Sequence, residues 1–168
     1  MKVTGRQPQA ILAGLGLVAL LAMASFAHGS ASPFSGLSGA WAGPGTITLD
    51  NGAKEAIRCR ANYNVDNSGV NLKLDLRCSS DSFKFELQSS VSHANGEVAG
   101  FWNELTNKVG GTVAGTAAGE RIEVRVDGPI AALLDISTRA DQQVVAIQSP
   151  GNKMSEVSIK LSRTKRAG

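Results

Sequence analysis

From Gly39 onward the chain alternates apolar and polar residues with the two-residue period of a strand. Ile57, Cys59, Ala61, Tyr63 and Val65 share one face, and Arg58, Arg60, Asn62 and Asn64 share the other. Val70, Leu72, Leu74, Leu76 and Cys78 repeat the pattern, with Asn71, Lys73, Asp75 and Arg77 between them. Phe83, Phe85, Leu87, Ser89 and Val91 repeat it again. Further segments follow at 96–105, 109–116, 120–127, 130–138, 142–149 and 156–163. In 120–127, Ile122, Val124 and Val126 fall on the inner face. The count is about ten strands in roughly 125 residues, and no stretch has helical periodicity of useful length. Such alternation belongs to antiparallel sheet with one face in water.

The turns fix the registers. A two-residue turn at Asn51-Gly52 would drop Ile47 and Leu49 onto the solvent face. A three-residue loop, Asp50-Asn51-Gly52, sets 49 against 53 and 47 against 55, so that the apolar sets coincide. That register puts Trp41 opposite Ala61. In the next hairpin a turn on Ser68-Gly69 makes 67 face 70 and Cys59 face Cys78. Opposed residues on neighbouring antiparallel strands are close enough for a disulfide. The two cysteines therefore read as one structural bond, worth roughly 3 kcal/mol in the chain-entropy model. They form no CxxC, and His28 and His93 are not spaced as co-ligands, so neither a redox pair nor a metal site is expected.

A meander of this kind closes most naturally into a single antiparallel up-and-down β-barrel of about 8–10 strands. A sandwich is the alternative. An outer-membrane barrel is disfavoured by short strands, few aromatic residues at strand ends and a final Gly168. The glycines of Val98-Ala99-Gly100 and Val113-Ala114-Gly115 suggest sharp bending or close approach of another backbone.

The start of the chain has a different character. Lys2 and Arg6 precede an uncharged apolar run at 10–24, followed by Ser25 and Ala27 at the −3 and −1 positions of a cleavage site. This is the organisation of a secretory signal peptide, with a second possible cut after Ala31. The expected layout is a signal-peptide helix at 1–27, a flexible Gly/Ser/Pro-containing lead-in at 28–37, the barrel at 38–163 and a basic tail at 164–168. The signal peptide places the protein in a bacterial periplasm or outside the cell, with membrane contact only before cleavage. It also changes the charge argument. The whole chain has 17 Lys plus Arg against 14 Asp plus Glu. Without Lys2 and Arg6 the 17 basic residues fall to 15, and no acid precedes Asp50. A near-neutral mature chain with scattered basic residues is not a nucleic-acid binder.

No catalytic constellation is present. Two histidines, one in the lead-in and one in the turn at 93–96, make neither a triad nor a zinc centre. Gly110-Gly111 sits within a strand, not before a helix, and cradles no phosphate. Glu104 and Asp135 are the two acids that a one-residue change of register would turn inward, although alternation with Leu134 and Ile136 places Asp135 outside. No enzyme activity, cofactor or metal is expected.

Gly39-Ala40-Trp41 at the first strand and Arg163 at the end of the last resemble the calycin pattern of lipocalins and avidins. The resemblance implies that Trp41 plugs one end of the barrel and that Arg163 stacks on its indole, a cation–π contact worth about 0.5–2 kcal/mol. Thr-Asp-Tyr, the second lipocalin motif, is absent, and Trp41 and Trp102 are too few to wall an avidin biotin site. A second resemblance is to small periplasmic inhibitors of metalloproteases, in which residues 28–37 would be a trunk inserted into the protease.

The expected role is non-enzymatic binding of a small, mostly apolar ligand inside the barrel or at its mouth, with inner-face Tyr63, Phe83, Phe85 and Trp102 as contacts. The alternatives are a protein partner, as in protease inhibition or envelope scaffolding, and a barrel filled by its own aromatic side chains. A connected interior cavity favours the first. A solid interior with a protruding 28–37 segment favours the inhibitor.

Overall fold

The computed structural model describes Met1 and residues 32–165; the rest of the signal peptide expected at 1–27, the first four residues of the lead-in and the last three residues of the basic tail lie outside them. Ten strands run in order: β1 (Gly39–Leu49), β2 (Lys54–Val65), β3 (Asn71–Ser79), β4 (Lys84–Ala94) and β5 (Glu97–Glu104), then β6 (Val109–Ala118), β7 (Arg121–Asp127), β8 (Ala132–Arg139), β9 (Gln142–Gln148) and β10 (Met154–Arg163). Each pairs antiparallel with its chain neighbours, and β1 pairs with β10, which closes the ring. The fold is the single up-and-down barrel that the alternation predicts. Closure leaves no free sheet edge for another strand to join.

The predicted registers hold. Cys59 faces Cys78 and is bonded to it. Trp41 faces Ala61, and Ile47 faces Glu55. The amide of Leu49 donates to the carbonyl of Ala53 (2.8 Å), and Gly52 takes a positive φ of 82°, which closes the three-residue loop. Two details differ. Val70 lies in the β2–β3 turn and is exposed, because the Asp66 carboxylate gathers the amides of Val70 and Asn71 and starts the ladder at Asn71. His93 belongs to the end of β4, since Asn95 and Gly96 at positive φ complete the turn by themselves.

One end of the barrel is closed. The loops 66–70, 95–96, 119–120 and 140–141 lie there with residues 32–38. The described part of the expected lead-in, Ser32 to Leu37, is packed against this end. Phe34 is fully buried, Leu37 is 2% exposed, and the Ser32 hydroxyl donates to the carbonyl of Gly69. A lone phenylalanine in a small polar segment finds its burial only under the barrel, where hiding it contributes about 1.5–3 kcal/mol. Trp41, 1% exposed, donates its indole N–H to Leu37 O (2.8 Å). The C-terminal side is tied in as well, as Thr164 donates its amide to Ala40 O (2.8 Å).

Candidate ligand cavity

The inner faces of the strands enclose a cavity of ≈ 420 Å³ that runs from Phe34 and Leu37 at the closed end to Ile130, Asn152, Lys153 and Met154 at the open one. Alternation alone builds its wall. Leu72, Leu74 and Leu76 come from β3, Leu87 and Val91 from β4, and Val124 and Val126 from β7. Space remains because several inner positions have no side chain. Val98, Gly100 and Trp102 share one face of β5, and Val113 and Ala117 share a face of β6 with Gly111 and Gly115. These glycines also let strands approach closely. A Cβ at Gly111 would lie 1.7 Å from Asp127 O, and one at Gly100 would lie 2.1 Å from Ser90 O. The missing side chains therefore bend the sheet and hollow it together.

Of the four expected contacts, Tyr63, Phe85 and Trp102 line the cavity. Phe83 does not. It precedes β4, stacks on Phe85 (centroids 6.1 Å apart, planes 8° apart) and carries Lys153 on its ring. Trp102 donates its indole N–H to Asp127 O (3.2 Å), which fixes the ring across Gly111. Trp41 is buried at the closed end and meets Tyr63 edge-on (6.4 Å, 90°). Arg163 sits 4.3 Å from the Trp41 ring.

Among the described residues His93 Nε2, packed beside Phe34, is buried without a hydrogen-bond partner, and the polar side chains nearer the cavity are engaged. The Tyr63 hydroxyl donates to Gln143 Oε1 (2.8 Å), and Gln143 Nε2 donates to Thr138 Oγ1 (2.9 Å). Burial pushes the Tyr63 phenol up to about 12, against the opposing pull of its bond to Gln143. Glu104 does turn inward, and it is 6% exposed. Its Oε1 accepts from the amides of Glu86 (3.1 Å) and Thr106 (3.0 Å), and its Oε2 from the amide (2.6 Å) and Nδ2 (2.9 Å) of Asn107. Burial by itself raises this carboxyl, but the Asn107, Glu86 and Thr106 amides together outweigh it and bring it down to about 2. Glu104 thus organises the β5–β6 turn and presents no free acid. Asp135 points outward, where Arg121 donates to both of its oxygens (3.1 and 2.5 Å). That contact, chiefly the hydrogen bonding, holds Asp135 below its ordinary value.

Gln143 and Lys153 were missed by the sequence reading. Gln143 shares its parity with Val145 and Ile147, so alternation does carry the signal for an inward amide. Lys153 lies in the β9–β10 loop, where no periodicity exists to place it.

No protein-family model matches the chain, and no curated protein matches it in sequence. Among solved structures the barrel is similar to the crystal structure of Rv2717c from M. tuberculosis, with a TM-score of 0.64 and 15% identity. The match covers 81% of this chain and 99% of that one. At that identity the likeness is one of fold.

Proposed function

We propose that the chain is an exported, non-enzymatic β-barrel that holds a small, mostly apolar ligand inside the barrel. The observation that carries the proposal is the ≈ 420 Å³ cavity with its aliphatic and aromatic wall. Its size falls within the roughly 300–1,000 Å³ of small-molecule sites. Apolar cavities of this kind stay dry and accept apolar guests, and each methylene transferred into one gains about 0.8 kcal/mol. The signal-peptide pattern at 1–27 and the Cys59–Cys78 bond support export to an oxidising compartment. Gly39-Ala40-Trp41 with Arg163 over the indole supports a calycin-like ancestry. The inhibitor reading needs a projecting N-terminal trunk, whereas Phe34 and Leu37 are buried under the barrel, so ligand binding is the better account.

Native mass spectrometry of the protein purified from its own host is expected to reveal a co-purifying small molecule. A parallel titration uses an uncharged naphthylamine dye that brightens in apolar surroundings. Its emission is expected to rise with the wild-type protein and not with Ala132→Phe, which puts a ring into the cavity. If no molecule co-purifies and the dye stays dark on the wild-type protein, the proposal is wrong.

A further inference from the structure

We propose that the ligand is an amphiphile whose apolar body fills the barrel and whose anionic head sits at the rim against Lys153. The inference rests on the reading of the cavity as a ligand site. Two ionisable side chains line the cavity apart from Tyr63: Glu104 and Lys153. Glu104 is on β5, and Lys153 immediately precedes β10. The strands that carry them are five steps apart in either direction around the ring, and the Lys153 side chain reaches to Phe83, just before β4.

Their conditions differ. Both oxygens of Glu104 are occupied by N–H donors from Glu86, Thr106 and Asn107. A cationic head would find no free acceptor there. Lys153 makes no ion pair with a carboxylate among the described residues. Its ammonium lies 5.8 Å from the centre of the Phe83 ring, and Phe83 stacks on Phe85 of the cavity wall. That contact holds the charge at the mouth and leaves its three N–H donors for a ligand. The neighbouring polar groups are already engaged. Asn152 Nδ2 donates to Ser149 Oγ (2.7 Å), and Ser149 Oγ donates to Ala131 O (3.1 Å). A carboxylate or phosphate at this rim gains the attraction of Lys153, while the Glu104 carboxylate is already engaged by its N–H donors. No cation lines the cavity below, so the head stays at the rim while the tail fills the interior.

The test is titration calorimetry of the delipidated protein with dodecanoate, dodecyl phosphate, dodecanol and dodecylammonium, which share one tail. Both anions are expected to bind about fivefold more tightly than dodecanol, the range of a partly exposed charge pair, with dodecylammonium weakest. Lys153→Gln is expected to erase the preference and leave dodecanol binding unchanged. The tighter of the two anions identifies the head. If all four bind equally well, the anionic head is refuted while the apolar cavity stands, and a preference that survives Lys153→Gln refutes the role of Lys153. If none binds, the cavity reading falls too.

Discussion

The guanidinium of Arg163 lies 4.3 Å from the centre of the Trp41 ring and also donates to the carbonyls of Gly36 and Ser38. One side chain from the last strand therefore holds the buried tryptophan of the first strand and the segment that leads into it. Its Nε donates to Asp141 (2.8 Å), which aims the fork. Arg163→Ala is expected to cost about 2 kcal/mol in urea unfolding, from the lost cation–π contact and hydrogen bonds together. Hydrogen exchange should quicken at Leu37, whose amide bonds to Phe34 O, while the centres of β6 and β7 stay protected. Arg163→Lys keeps the charge without the fork, and should recover less than half of the loss.

Tyr63 is the single tyrosine of the chain, so alkaline absorbance titration reads it alone. Its folded value of about 12 lies above the ordinary 10. The folded state therefore holds the phenolic proton more tightly than the unfolded state does. The resulting stability is fully present below pH 10 and is lost as pH rises towards 12. The loss should reach on the order of 2–3 kcal/mol. Tyr63→Phe should remove this alkaline decline. At neutral pH it should cost about 1–3 kcal/mol, because Gln143 Oε1 loses its buried donor. An unfolding free energy in Tyr63→Phe that still falls between pH 10 and 12 as in the wild type would refute the assignment.

Glu104 gives the opposite sign. Its folded value of about 2 lies below the ordinary 4.5, so its contribution is present above 4.5 and fades as the pH drops towards 2. Glu104→Gln replaces an acceptor of four N–H groups by an amide with one oxygen. It should cost about 1–3 kcal/mol at neutral pH and flatten the acid limb of the stability curve. Chemical denaturation at a series of pH values measures both effects.

These groups also mark how far the sequence could be read. Period-two alternation, the Gly52 turn and the parity of Cys59 and Cys78 were enough to specify the sheet, the registers of β1–β2 and β2–β3 and the disulfide. A one-residue slip would turn an entire apolar set into water, so alternatives were heavily penalised. Phe34 was not legible, because it and Leu37, set among serines and glycines, carry no period, and only the finished barrel provides a place to bury them. Glu104 was ambiguous for a related reason. Its partners are loop amides, and backbone donors leave no pattern in side chains. Phe83 packs against the core as its parity predicts, but it precedes β4, which starts at Lys84, and stacks on Phe85 without reaching the cavity.

Gly111 connects the shape of the barrel to its cavity. It faces Trp102 directly across the β5–β6 ladder, and an added Cβ would lie 1.7 Å from Asp127 O and 3.0 Å from the indole nitrogen. Asp127 O is also the acceptor that fixes the indole. Backbone cannot yield at such a distance without separating β6 from β7, so Gly111→Ala should cost about 1–3 kcal/mol, the range of overpacking. It should also displace Trp102 from its acceptor and weaken binding of the naphthylamine dye. Gly36→Ala is the matched control, since a Cβ there meets nothing within 4 Å. Thermal unfolding and dye titration of the two variants should separate them clearly. Equal stability and equal dye affinity would mean that Gly111 neither bends the sheet nor makes room for the ring.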